Sequence, residues 1–185
     1  MNASSAKEID EQLIRDSQKG DRDAFARLLD LVYDMIYRFA FTWLKHVSDA
    51  EDVTQQVCIK LAQVIRQFRF ESAFSTWLYR VVTNCVRDWQ RSQKRHRNGG
   101  EQADEPLSSA TSSESQAELE RVLGDIDAMG KGFKETVLLV YGEGFSHAEA
   151  AEILNIKEST VSWRLHQVRK YLAGTADEVQ GAGSL

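Results

Sequence analysis

Arg80, Asn84, Arg87 and Arg91 follow one another at intervals of four, three and four residues. On a helix that spacing places three guanidiniums and an amide within about 60° of one another, along one stripe. A row of guanidiniums grips the oxygens of a polyanion, and aromatic faces hold the flat groups that such a chain carries. Trp77 flanks the stripe, beside the aromatic segment FRFESAFST at residues 68–76. Bond-making chemistry has no comparable set of residues. No nucleophile, base and phosphate loop come in a recognisable order, and His46, His96, His147 and His166 contain no close pair for a metal. The expectation is a binding protein with no catalytic residues, no metal and no cofactor. Cys58 and Cys85 lie on or near apolar stripes and are expected as buried thiols rather than a redox pair.

The elements that must position these groups are helical. One Pro in 185 residues and abundant Ala, Leu, Glu, Lys, Gln and Arg predict an all-α protein. Residues 98–116, rich in Gly, Ser and acids and holding that Pro, read as a flexible linker between two small helical domains at 1–97 and 117–174. Residues 175–185 read as a disordered tail. No apolar run approaches a membrane span and no signal peptide is evident, so a cytoplasmic location is expected. The net charge is -5, yet residues 87–97 carry +4 and residues 98–127 carry -7. Salt screens such fields within about 10 Å, so the basic run attracts phosphate whatever the total.

In the first domain, a helix from Ile9 to Lys19 stops at Gly20, and Asp21 caps a second. A third is expected to start at a capping box of Ser48 and Glu51, burying Val53, Val57, Leu61, Val64 and Phe68 and presenting Asp52, Gln55, Gln56 and Ile59 outward. A fourth contains the basic stripe. Its apolar set is Leu78, Val81, Val82, Cys85 and Trp89, so Trp89 is expected in the core and Trp77 at the edge of the polar face. Lys94, Arg95 and Arg97 extend the basic end as less specific phosphate contacts.

The second domain holds a helix-turn-helix pattern in FSHAEAAEILNIKESTVSWRLHQVRKYL, residues 145–172. Ser146 and Glu149 form a capping box, NIK is the turn, and Val161, Leu165, Val168 and Leu172 form the apolar stripe of the last helix. Ser159, Thr160, Ser162, Trp163, Arg164, Gln167 and Lys170 lie on its outer side, where such motifs meet base edges.

Three motifs in this order, DAEDVTQQVCIKL, FRFESAFSTWLYRVVTNCVRDWQR and ETVLLVYGEGFSHAEAAEILNIKESTVSWRLHQVRKYL, resemble those of the extracytoplasmic-function (ECF) sigma factors of the sigma-70 family. The resemblance implies a non-enzymatic subunit that joins core RNA polymerase, recognises minus-35 and minus-10 promoter DNA and helps open it. It implies polymerase docking by Asp49, Glu51, Asp52, Gln55, Gln56 and Ile59. It implies minus-10 binding by Phe68, Arg69, Glu71, Ser72, Phe74, Ser75, Thr76 and Trp77 together with Arg80, Asn84, Arg87 and Arg91. Minus-35 binding falls to the outer residues of the last helix, with Arg164 and Gln167 as the expected base readers. The usual control of this family is an anti-sigma protein; some members are controlled by threonine phosphorylation near the first motif, but Thr54 falls within the apolar arc of its helix, where a phosphate is costly to bury. This sequence departs from the family in having Gln56 for a Glu, and Ser159, Ser162 and Trp163 in place of a glycine, a lysine and a small residue. Two other readings stand beside it. One is a sigma-like decoy that binds an anti-sigma protein, and the other is a helix-turn-helix regulator independent of polymerase.

Overall fold

The computed structural model describes residues 9–98 and 114–182, with side chains over 9–95 and 117–174. The chain divides into two compact units between Ser108 and Ser109, and each is described by itself. Most of the expected linker lies outside the described residues, as does the Arg97 side chain. Among the described residues no helix is long and apolar enough to cross a membrane.

Helix α1 (Glu11–Lys19) starts where Asp10 accepts a hydrogen bond from the Gln12 N–H at 2.9 Å, and it stops at Gly20, whose φ of 94° suits a residue without Cβ. Asp21 immediately caps α2 (Arg22–Leu44) through the Asp23 and Ala24 amides, 3.0 Å each. Helix α3 (Val47–Val64) tightens into a 3₁₀ turn (Ile65–Gln67), and a loop leads to α4 (Phe74–Asn98). Leu28, Val32, Ile36, Val57, Leu61 and Leu78 are fully buried between them. Phe39 of α2 meets Trp43 edge-on at 5.4 Å and Tyr79 of α4 edge-on at 5.0 Å.

Three expectations for this unit are corrected. The α3 start is not a capping box. Lys45 ends α2 in the left-handed conformation and His46 is already extended, so the chain enters the helix at Val47, before Ser48 can cap it. Ser48 Oγ lies 3.0 Å from His46 Nδ1 instead. The buried row of α3 holds through Leu61, but Val64 is half-buried and Ile65 takes the core position, because the 3₁₀ turn changes the phase of the side chains.

The third correction concerns α4. Its buried set is Leu78, Tyr79, Val82, Thr83 and Val86, whereas Val81, Cys85 and Trp89 are only half-buried. The buried face is turned by roughly 80° from the apolar stripe at 100° per residue. Tyr79 packing on Phe39, and two threonines whose methyl groups accept burial, set that rotation. Both cysteines are half-buried rather than buried, and burial pushes each thiol up, with Asp88 adding to the effect at Cys85.

In the second unit, α5 (Glu114–Ala128) begins inside the segment expected as linker. Gly130 and Gly132, both at positive φ, turn the chain into α6 (Phe133–Val137), which continues as a π turn (Leu138–Gly142). Helices α7 (His147–Leu154) and α8 (Glu158–Ala182) form the helix-turn-helix. Here the capping box is present. Ser146 Oγ accepts from the Glu149 N–H at 3.2 Å, and Glu149 accepts from the Ser146 N–H at 2.8 Å. Asn155, left-handed at φ 54°, closes α7. Val161 and Leu165 are fully buried, and Val168 packs with Ile126 and Phe133. The backbone of α8 is helical to Ala182, within the segment expected as a tail, and residues 183–185 lie outside the described residues. Because one cap side chain satisfies otherwise orphaned amides, Ser146→Ala is expected to cost about 1 kcal/mol, read as a lower thermal midpoint for the second unit.

Candidate nucleic-acid and polymerase interfaces

Helix α4 carries its polar stripe away from the core. Asn84 and Arg91 are exposed, while Arg80 and Arg87 are half-buried, a consequence of the rotated core face. Arg91 makes an exposed ion pair with Asp88 at 3.0 Å, an interaction of small worth that a phosphate oxygen can replace. Lys94 and Arg95 continue the exposed basic surface toward the helix end.

The loop preceding α4 divides the residues assigned to it into two groups. Phe68, Phe74 and Trp77 form a buried aromatic cluster, with Phe68 to Phe74 at 5.3 Å, Phe68 to Trp77 at 5.3 Å and Phe74 to Trp77 at 5.7 Å. Ser75 and Thr76 are also buried. These five side chains build the loop's base and offer little surface to a ligand, which corrects their placement as direct contacts. The cause is the loop itself, whose Phe68 folds back over Phe74 and Trp77 in the first turn of α4. Arg69 and Glu71 are exposed and Ser72 is half-buried, so these three remain accessible. Phe70, not singled out from the sequence, packs against Phe68 with the rings tilted, 4.6 Å between centres, and stands at φ 59°. Its signal was the spacing FRF, two aromatics around a cation.

On α8 the outer stripe consists of Ser159, Trp163, His166 and Lys170, all exposed, with Thr160, Ser162 and Gln167 half-buried beside it. Trp163 is 54% exposed although its ring lies 5.6 Å from that of Phe133. His166 is exposed on the same stripe, one turn from Ser162 and Lys170, although it is not among the outer residues expected from the sequence. Ser162 Oγ sits 3.0 Å from His147 Nδ1 at the start of α7. Arg164 is corrected. Its Nη1 donates to the Gly132 carbonyl at 3.1 Å and lies 3.3 Å from Thr136 Oγ1, so the guanidinium braces α8 against α6 instead of standing free to read a base.

The outer face of α3 exposes Glu51, Asp52, Gln55 and Gln56 around Ile59, which is 62% exposed; Asp49 is half-buried, 3.5 Å from His46. Thr54 is fully buried and donates to the Ala50 carbonyl at 2.7 Å. A phosphate there would have to be buried in the α3 core, at high cost.

Residues 26–96 match the family described as Sigma-70 region 2, and residues 134–172 match Sigma-70, region 4. Over 174 residues the chain is 31% identical to the ECF RNA polymerase sigma factor SigW of Bacillus subtilis, spanning 86% of this chain and 92% of that protein. The chain belongs to the ECF sigma factors of the sigma-70 family. It is a factor for promoter-directed transcription initiation. This sigma factor is also 29% identical over 180 residues to the ECF RNA polymerase sigma-E factor of Haemophilus influenzae, with 88% and 93% of the two chains covered. Its fold is shared with CnrH in complex with the cytosolic domain of CnrY (TM-score 0.66, 23% identity, 90% and 96% covered). It is shared equally with the sigma factor RpoE in complex with the anti-sigma factor NepR from Bartonella quintana (TM-score 0.65, 22% identity, 83% and 96% covered). Helix α1 precedes the residues that match region 2.

Proposed function

We propose that the sigma factor docks core RNA polymerase through the α3 face of Glu51, Asp52, Gln55, Gln56 and Ile59. The opened minus-10 strand lies along Arg80, Asn84, Arg87 and Arg91, with Arg69, Glu71 and Ser72 of the neighbouring loop beside it. Helix α8 enters the major groove at the minus-35 element and presents Ser159, Trp163, His166, Gln167 and Lys170 to it. The single observation that carries this assignment is the α4 stripe, cationic and on the side away from the buried face, next to a loop built on a buried aromatic cluster. An unwound strand exposes phosphates and base edges together; the cations of α4 match the first and the exposed polar side chains of the loop, Arg69 and Glu71, match the second. Region 4 supplies the duplex contact because a helix, not a loop, fits the major groove.

An anti-sigma protein is the proposed regulator. Both solved neighbours above were captured with a partner chain, in one case an anti-sigma factor.

Run-off transcription with purified core polymerase on a promoter library tests this function, which predicts initiation from a discrete set of promoters only when the sigma factor is added. Arg87→Ala with Arg91→Ala is expected to lower open-complex formation roughly tenfold. The salt dependence should also flatten by about 0.7 in log–log slope for each single-strand phosphate that is no longer neutralised. Asp52→Arg is expected to weaken core binding about five- to tenfold in a fluorescence competition assay, through charge reversal at the rim of an interface. Unchanged core affinity in that variant would remove α3 from the docking surface.

A further inference from the structure

The loop between the 3₁₀ turn and α4 is tied down by α1, a helix outside the residues that match region 2. Gln18 makes three hydrogen bonds to the 3₁₀ turn and the first residue of the loop, across 47 to 50 residues of sequence. Its Nε2 donates to the carbonyls of Ile65 at 2.9 Å and Phe68 at 2.7 Å, and its own backbone carbonyl accepts from Arg66 Nε at 3.1 Å. The Ile65 carbonyl already accepts the Phe68 N–H at 3.2 Å, so the amide adds a second bond there and ties the Phe68 carbonyl, at the point where the chain turns extended, to the same side chain. One turn earlier on α1, the Arg15 guanidinium lies 4.1 Å from the centre of the Phe70 ring and is held by Glu11 through Nε at 2.8 Å. Phe70 stands at φ 59°, a left-handed conformation that a bulky residue keeps only when its surroundings hold it. Those surroundings are Arg15 on one side and Phe68 on the other. The reversal at Phe70 is what leaves Arg69 and Glu71 exposed on either side of it.

We propose that α1 is the positioning element of the strand-binding loop: Gln18 and Arg15 act through Phe68 and Phe70 to hold Arg69, Glu71 and Ser72 in the one geometry that discriminates the promoter base received there. The inference rests on the loop's assignment to the minus-10 strand. Gln18 and Arg15 touch no DNA in this scheme; they are positioning residues, and their effect appears as selectivity. If the loop were free, it would relax from the left-handed turn into several conformers, each placing Arg69 and Glu71 differently, and preference among bases would average out. Charge attraction along α4 would be untouched, because Arg80, Asn84, Arg87 and Arg91 stand on a separate element.

The test uses the full chain with core polymerase on four promoters that differ only at the minus-10 position where the unaltered protein discriminates most. Open-complex rate is read on each, together with core affinity and thermal midpoint. Arg15→Ala and Gln18→Ala are expected to lower the ratio of best to worst base about five- to tenfold, the scale of one stacking contact, with core affinity within about twofold. Arg15→Lys keeps a cation over the ring and should retain most of the ratio, whereas Gln18→Glu has no donor for the two carbonyls and should behave as Gln18→Ala. Phe70→Gly accepts the positive φ and leaves α1 intact, so it reports on the loop even if a Gln18 variant folds poorly. It should lose discrimination too. A ratio that stays within about twofold of the unaltered protein in Arg15→Ala and Phe70→Gly overturns the proposal. So does a parallel fall on all four promoters with the ratio preserved, which marks a purely structural role. The Arg87→Ala, Arg91→Ala variant tests the strand-binding surface separately. It should slow all four promoters alike, and opening at the normal rate there would count against the α4 assignment while the ratio still decides the role of α1.

Discussion

Trp77→Ala is expected to lower the unfolding free energy of the first unit by about 3–5 kcal/mol, the range for truncating a large buried aromatic side chain. Trp77 is 7% exposed and its ring packs against both Phe68 and Phe74. Truncation opens a cavity at the base of the loop that the two phenylalanines fill only in part. Against a typical total of about 5–15 kcal/mol for a domain, the loss is severe. Trp89→Ala, at a half-buried position, should cost about 1–2 kcal/mol. Urea titration followed by near-ultraviolet circular dichroism reads both changes. Equal costs, or a larger cost at Trp89, would mean that the aromatic cluster around Trp77 contributes little to the stability of this unit. Since Trp77 supports Phe68, the same substitution should also impair promoter opening at temperatures where the unit remains folded.

Gly132→Ala should destabilise the second unit by about 2–4 kcal/mol, the sum of a left-handed conformation imposed on a residue with a Cβ and of overpacking. The residue stands at φ 91°, and an added Cβ would lie 2.5 Å from Arg164 Nη1, well inside van der Waals contact. The Arg164 guanidinium is also the group that bonds the Gly132 carbonyl and Thr136. Arg164→Ala alone removes that brace at a cost of about 1–2 kcal/mol, because hydrogen bonds from a charged donor disappear. In the double variant the clash is gone, so the two costs should add to less than their sum by about 1 kcal/mol or more, a coupling that thermal melts of the four chains measure. Strict additivity would mean that the close approach is relieved elsewhere. Arg164→Ala is further expected to weaken minus-35 binding on all sequences alike, because it loosens α8 without removing a base reader.

Much of the scaffold was legible because its causes are local. Asp21 and Ser146 cap helices through bonds to amides two or three residues ahead, and Gly20 stops one through its own φ. The α3 row of Val53, Val57 and Leu61 was legible for the same reason, since three apolar residues at helical spacing have one possible inner face. The outward polar stripe of α3 followed as its complement. The start of α3 was misread because it depends on how α2 ends, in the left-handed Lys45, which no residue type there announces.

Residue types and spacing by themselves determined that this chain is two small helical units, that its order of motifs is that of an ECF sigma factor, and that a cationic stripe lies on one side of α4. Those properties are sums over local preferences and periodicities, which each segment carries wherever it is placed. Tertiary structure alone decided which of two tryptophans is buried, that Arg164 braces a glycine turn, and that α1 holds the loop at Phe70. Each of these turns on a meeting of residues distant in the chain, Phe39 with Tyr79, Arg164 with Gly132, Gln18 with Phe68. A hydropathy pattern gives the width of a buried face, but the partner packed against it sets its centre.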